Sequence, residues 1–242
     1  MQDRILACFE TGDGTEYSDY PHFHQFMAED SGQTVVKPLF ELILPLIEGI
    51  DERLRAGIDV LDAGCGRGRA LIAMAERFPA SRFTGYDLCP DAIQYASREV
   101  RNRGLCNIGF EVRDLSGFEE TSRYDLVMSF DGIHDQKDPG ALLGGLYRSL
   151  KPGGVHLMQD IGGSASLENN MDFPMASLLY AISCFHCTPV SIGQGGAGLG
   201  TMWGWETAER LLREAGFESV RRQTLAHDPM NVWFVSRREG WS

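Results

Sequence analysis

Positive charge is scarce in this sequence: 22 Lys and Arg face 34 Asp and Glu over 242 residues, for a formal net charge of −12. Nucleic acids and anionic membrane surfaces select clustered positive charge, so general binding to either is not expected. Long apolar runs are missing as well. A membrane-spanning helix needs about 18 or more consecutive apolar residues, and the richest run, Leu39–Ile47, is broken by Glu41 and Pro45. The stretch MQDRILACFETGDGTEY lacks a basic segment followed by an apolar core and a small-residue cleavage site, so secretion has no support. Cysteine is sparse and scattered, at positions 8, 65, 89, 106, 184 and 187. That spread reads as reduced thiols in a cytoplasmic protein, not as a disulfide framework.

What is present suffices for a sizeable core, with 43% hydrophobic and 23% charged residues, the balance of an ordinary globule. Residues 1–57 read as an N-terminal cap, in which Val36, Leu39, Phe40, Ile43 and Ile47 recur at helical spacing. From Ile58 onward short apolar runs alternate with helical periodicity. Strands are expected at IDVLDAG, Arg82–Asp87, Ile108–Val112, Tyr124–Phe130 and Val155–Gln159, with helices between most of them. Such alternation implies parallel strands joined by right-handed crossovers, hence a doubly wound Rossmann-like α/β sheet. The rhythm breaks between Ile161 and Gly204, where SIGQGGAGLGTMWG packs six glycines into 14 residues; a loop or lid is expected. A last helix carrying Ala208, Leu211, Leu212 and Ala215, then strands near Phe217–Thr224 and Val232–Val235, close the chain.

The segment most informative about chemistry is Asp62-Ala-Gly64-Cys65-Gly66-Arg-Gly68, which follows the first strand and opens a helix. Ligands of open α/β sheets bind at this kind of turn, where glycine lets the backbone approach them closely. The spacing is GxGxG and not GxGxxG, and Asp62 at its mouth would repel a pyrophosphate. A ligand with a positive end and no phosphate fits better. Asp87 ends the second strand, where a carboxylate accepts from ribose hydroxyls. Asp114 follows the third strand, within reach of an adenine amine.

These pieces resemble the class I S-adenosylmethionine-dependent methyltransferases. The resemblance is carried by VLDAGCGRG, FTGYDLCPDAI, FEVRDL, YDLVMSFDGIHD and LYRSLKPGGVHLMQD, in the family's order, over roughly Ile58–Asp160. It implies a seven-stranded, mostly parallel sheet with one antiparallel strand, S-adenosyl-L-methionine as cofactor, and a methyltransferase domain over 58–242 with an insertion at 161–204. It further implies that Asp62, Gly64, Cys65 and Gly66 line the methionine end and that Asp87 holds the ribose. Leu88 and Leu115 then flank the adenine, Asp114 faces its amine, and Phe130 with Asp131 closes the pocket. The flanks FETGDGTEYSDYPHFHQFMAEDSGQTVV and SCFHCTPVSIGQGGAGLGTMWG are similar to a bacterial-type subgroup that often carries an N-terminal winged-helix region, here missing or reduced to the cap.

Methyl transfer from a sulfonium needs alignment and exclusion of water more than side-chain chemistry. If the acceptor must lose a proton, His134 is the candidate base. Tyr17, Tyr20 and His24, with His22 and Phe23, form an aromatic cluster that can close over the sulfonium by cation–π contact or pack beneath the cap. The Gly-rich stretch Gly193–Gly204, with Met202, Trp203 and Trp205, is the expected substrate-facing wall, or else a surface loop whose tryptophans anchor the next helix. Cys184-Phe-His186-Cys187 reads as buried thiols in a helix, since it lacks a second zinc-ligand pair. Asp131 and Asp160 end neighbouring strands, but Ile161 stands where the family's metal-dependent members usually carry Asn, so no metal is expected. The expected partner is a small-molecule acceptor, with a homodimer left open. A cofactor-binding regulator without turnover and a nicotinamide-dependent oxidoreductase are the competing readings.

Overall fold

A computed structural model describes residues 1–240. Its centre is a seven-stranded sheet built from β1 (Asp59–Ala63), β2 (Arg82–Asp87), β3 (Ile108–Val112), β4 (Tyr124–Phe130), β5 (Leu150–Ile161), β6 (Ser219–Leu225) and β7 (Asp228–Arg237). The order is β3-β2-β1-β4-β5-β7-β6. β7 runs antiparallel to both β5 and β6 while the remaining pairs are parallel, as expected. The strand order reverses between the parallel neighbours β1 and β4, and ligands of open α/β sheets bind above the carboxyl ends of the strands at such a point.

The helices among the described residues are α1 (Gln2–Thr11), α2 (Phe23–Ser31), α3 (Ile50–Ala56), α4 (Arg69–Arg77), α5 (Pro90–Arg103), α6 (Pro139–Ser149), α7 (Ala176–Ile182), α8 (Thr188–Gly193) and α9 (Trp205–Glu214). Central strands are apolar on both faces because both faces are covered. Val60, Leu126 and Leu157 point towards α4 and the N-terminal segment, whereas Leu61, Val127 and Met158 point towards α6 and α9. The N-terminal segment supplies Val35, Leu39, Ile43, Ile47 and Leu54 to the first of these cores.

That segment is not the continuous helix its periodicity suggests. It folds as wide π turns at Gly32–Val36 and Leu39–Ile43 and a tight turn at Leu44–Leu46. Pro38 and Pro45 lack the N–H that a regular helix needs there. The insertion also departs from expectation, since it is partly helical. A π turn at Ser183–Cys187 joins α7 to α8, and only the glycines beyond Gly193 form open loop. By length and mean hydropathy (1.3) the span Ala176–Gly193 is apolar enough to cross a bilayer, against the expectation of no such helix, and 39% of it is buried in this fold. Its inner side meets the N-terminal segment: Thr15 N–H donates to the Pro189 carbonyl at 2.9 Å and the Tyr20 hydroxyl to the Phe185 carbonyl at 2.7 Å.

Candidate active site

The turn between β1 and α4 forms the floor of a cleft. Gly64 and Gly66 adopt left-handed backbone angles, φ 80° and 51°, that side chains with a Cβ rarely take. A Cβ added at either would meet no protein atom within 4 Å, so both open onto free space. Gly68 differs, because its Cβ position is filled by the Phe110 ring. The first two glycines therefore serve the cleft and the third serves packing.

Two carboxylates flank this turn. Asp62 is 2% exposed, and its Oδ1 has no hydrogen-bond partner among the described residues. Burial, with the charge of Asp87 adding, pushes the Asp62 carboxyl up to about 7. Asp87 accepts from the Gly66 N–H at 2.8 Å and from the Cys89 N–H at 2.9 Å. Cys65 has its thiol raised well above the usual range by burial and by the same two carboxylates.

Asp62, Gly64, Cys65 and Gly66 line the inner part of the cleft, and Asp87, Leu88, Asp114 and Leu115 line the outer part. Gly64, Gly66, Phe130, Asp131, His24 and Met27 border both, which makes the two parts one groove. His24 and Met27 belong to α2, so this helix roofs the groove; Arg69 at the start of α4 holds it through the Ala28 carbonyl. Asp114 is shaped by its own turn, accepting from the Ser116 N–H at 2.8 Å. Asp131 sits at φ 52°, a strained angle for a residue with a side chain, of the kind that functional sites retain. Burial raises its carboxyl to about 7, with His134 opposing and Asp160 reinforcing the shift.

Tyr17, Asp135, Gln136 and Gln194 also line the outer part of the groove. The Tyr17 hydroxyl donates to Asp135 Oδ2 at 3.4 Å. Burial first, then Asp135, raises the Tyr17 hydroxyl well above its ordinary value, so it stays neutral. His134 does not border the groove. It is 2% exposed, and its Nδ1 lies 2.8 Å from Asp160 Oδ1. Burial works against an imidazolium there, but Asp160 and Asp135 together outweigh it and raise the basicity of His134. His134, expected as the base, is thus corrected to a residue buried beside Asp135 that does not line the groove itself. Trp203 is corrected likewise. It is 4% exposed, and its indole N–H donates to Asp160 Oδ1 at 3.0 Å, while Arg222 stacks on Trp205. These tryptophans anchor the chain into α9. Tyr20 borders a shallower outer hollow with Tyr17 and His24.

Asp135 and Met27 line the groove without having been expected there, and of the expected Gly193–Gly204 wall Gln194 borders it. For Asp135 a signal existed, since it adjoins His134 in the loop after β4.

This arrangement has counterparts among known proteins. Residues 54–216 match the family model described as "Methyltransferase domain". The chain belongs to the class I S-adenosylmethionine-dependent methyltransferase family. It is 30% identical over 131 residues to the malonyl-[acyl-carrier protein] O-methyltransferase of Acetivibrio thermocellus, covering 54% of this chain and 45% of that one. It is 31% identical over 123 residues to the ubiquinone biosynthesis O-methyltransferase of Pseudomonas entomophila, covering 49% and 51%. Identity to phosphoethanolamine N-methyltransferase 1 of Triticum aestivum is 34% over 122 residues, 50% of this chain and 24% of that protein. The matches thus span about a quarter to a half of the curated relatives' length. A putative O-methyltransferase from Nostoc punctiforme shares the fold with a TM-score of 0.70 at 19% identity, over 97% of this chain and 66% of that one.

Proposed function

We propose that this chain moves a methyl group from S-adenosyl-L-methionine to a small-molecule acceptor by in-line displacement. The observation that carries the reading is the pair Asp62 and Asp87 flanking the open faces of Gly64 and Gly66, with Asp62 Oδ1 buried and unpartnered. A buried carboxylate without a partner is costly unless a cationic ligand group completes it. The bound cofactor supplies an electrophilic methyl on a sulfonium.

The chain's own residues do the rest. Asp62 balances the positive end of the ligand. Asp87 accepts from ribose hydroxyls while it holds the Gly66 and Cys89 backbone. Leu88 and Leu115 sandwich the base, and Asp114 faces its amine. The lid residues Tyr17, Phe23 and His24 exclude water from the reacting end. Tyr17 and Asp135 orient the acceptor, and His134 is a positioning residue behind Asp135. The relatives named above act through oxygen or nitrogen by name, so the acceptor class is held at a small molecule. All six cysteines are free thiols, which supports a cytoplasmic setting.

Calorimetric titration with S-adenosylmethionine, S-adenosylhomocysteine and nicotinamide dinucleotide tests the cofactor, and mass-spectrometric product detection over an acceptor panel tests turnover. Binding of the nicotinamide compound alone would overturn the proposal. Tight S-adenosylmethionine binding with no product from any acceptor would favour the regulator.

A further inference from the structure

Beside the groove, His134, Asp135 and Cys187 bring one ligand atom each to within 4.8 Å of one another, all in buried side chains. His134 and Asp135 come from the loop after β4, and Cys187 ends the π turn of the insertion. His134 Nε2 lies 3.1 Å from Asp135 Oδ1, yet off the line of the ring N–H, so that Oδ1 is left without a hydrogen bond. The two atoms stand at ion-pair distance and share one small space with Cys187 Sγ. Tetrahedral zinc, with bonds of about 2.0 to 2.3 Å, spaces its ligand atoms by about 3 to 4 Å.

Each of the three has an outer partner on its far side. His134 Nδ1 is tied to Asp160 Oδ1 at 2.8 Å, and Asp160 is itself fixed by Trp203 Nε1 at 3.0 Å and by the Ile161 N–H at 2.8 Å. The Thr201 hydroxyl donates to Cys187 Sγ at 2.8 Å. Tyr17 reaches Asp135 Oδ2. A carboxylate behind a histidine and a donor behind a sulfur are the supports that hold metal ligands in place and fix the histidine tautomer.

We propose that His134 Nε2, the Asp135 carboxylate and the Cys187 thiolate bind a divalent cation of borderline softness, with Zn²⁺ the best match to a nitrogen, oxygen and sulfur set. Three protein ligands leave a fourth position, and Asp135, which borders the groove, puts the site beside it. A second grouping, Asp131 with His134 and Asp160, is the weaker choice because its His134 and Asp160 atoms are already bonded to each other. The site stands independently of the methyltransferase reading. It also ties the insertion to the sheet.

The test uses the full chain purified from zinc-supplemented medium and dialysed against metal-free buffer. Elemental analysis should find about one zinc per chain, and Co²⁺ added to chelator-stripped protein should give a thiolate-to-cobalt charge-transfer band in the near ultraviolet. Cys187→Ser should abolish the band and Cys184→Ser should retain it. His134→Gln should lower zinc occupancy at least tenfold. Circular dichroism and S-adenosylmethionine titration of each variant separate loss of metal from loss of fold, and separate failure of the site from failure of the methyltransferase reading. Substoichiometric zinc together with no cobalt band in the wild-type chain would overturn the site, leaving an imidazolium between two carboxylates. A band that survives Cys187→Ser would overturn it as well.

Discussion

Asp87 grips the Gly66 backbone N–H at 2.8 Å, so the carboxylate that ends β2 also sets the shape of the glycine turn that follows β1. The same side chain caps Cys89 at 2.9 Å and thereby enters α5. One residue thus links the end of β2, the floor of the groove and the start of α5.

Asp87→Ala should remove both the ligand contact and the turn restraint. Hydrogen bonds to charged groups are worth about 1.5 to 3 kcal/mol, so S-adenosylmethionine affinity should fall about 10- to 100-fold. Asp87→Asn, which keeps one acceptor oxygen, should lie between the variant and the wild type. Calorimetry on the three proteins checks the order, and equal affinity in all three would show that Asp87 serves the turn alone.

Asp62 gives a pH prediction. Its carboxyl titrates at about 7 in the ligand-free protein because burial and Asp87 disfavour its charge. A cationic ligand selects the ionised form, so binding below that pH must release a proton. Affinity should therefore rise about tenfold per pH unit below 7 and level off above it. Asp62→Asn should bind weakly and lose this dependence. A flat wild-type profile between pH 5.5 and 8 would sink the pairing of Asp62 with the ligand's positive end.

The glycine turn separates two kinds of damage. Gly66→Ala places a methyl in ligand space at φ 51° without a protein clash, so it should cost about 1 kcal/mol of stability yet strip cofactor binding. Gly68→Ala drives a methyl into Phe110 and should lower the melting temperature much more. Thermal denaturation and cofactor titration of both variants read the contrast. A similar loss of stability in the two would refute it.

Much of this layout was legible in the chain. Short apolar segments alternating with helical periodicity marked the strands, and the expected Arg82–Asp87, Ile108–Val112 and Tyr124–Phe130 coincide with β2, β3 and β4. Of the helical stretch in the insertion only Cys184–Cys187 was expected to be helical; its extension over α7 and α8 was missed because the glycines from Gly193 onward dominate the composition of the insertion. The buried cluster escaped for another reason: Trp203 meets Asp160 across 43 residues, and no local spacing announces such a contact. Asp135 and His134 are neighbours in a loop, and only its backbone path decides that the aspartate faces the groove while the histidine turns inward.

His156 offers a stability prediction away from the groove. It lies fully buried in β5, its Nε2 2.9 Å from Ser129 Oγ, and burial lowers its pKa to about 3 from 6.5. The unfolded chain takes up a proton below 6.5 that the folded chain refuses, so this residue costs stability as pH falls from 6.5 towards 3. Relative to His156→Gln, the wild type should lose up to about 1.36 kcal/mol per pH unit over that window. Urea denaturation at pH 7.5, 6 and 5 measures it; a pH-independent difference between the two proteins would contradict the buried neutral imidazole.

Trp203→Phe distinguishes an anchor from a substrate wall. Phenylalanine keeps most of the ring's packing but leaves Asp160 Oδ1 without its indole donor inside the core. Asp160 Oδ1 keeps its His134 and Ile161 partners, so the loss is one hydrogen bond to a charged group, about 1.5 to 3 kcal/mol, which should appear as a clear drop in melting temperature. Cofactor affinity should stay within about twofold, since the ring touches neither part of the groove. An unchanged melting temperature with a raised acceptor KM would instead put Trp203 against the acceptor, and the closed arrangement described here would have to open to admit it.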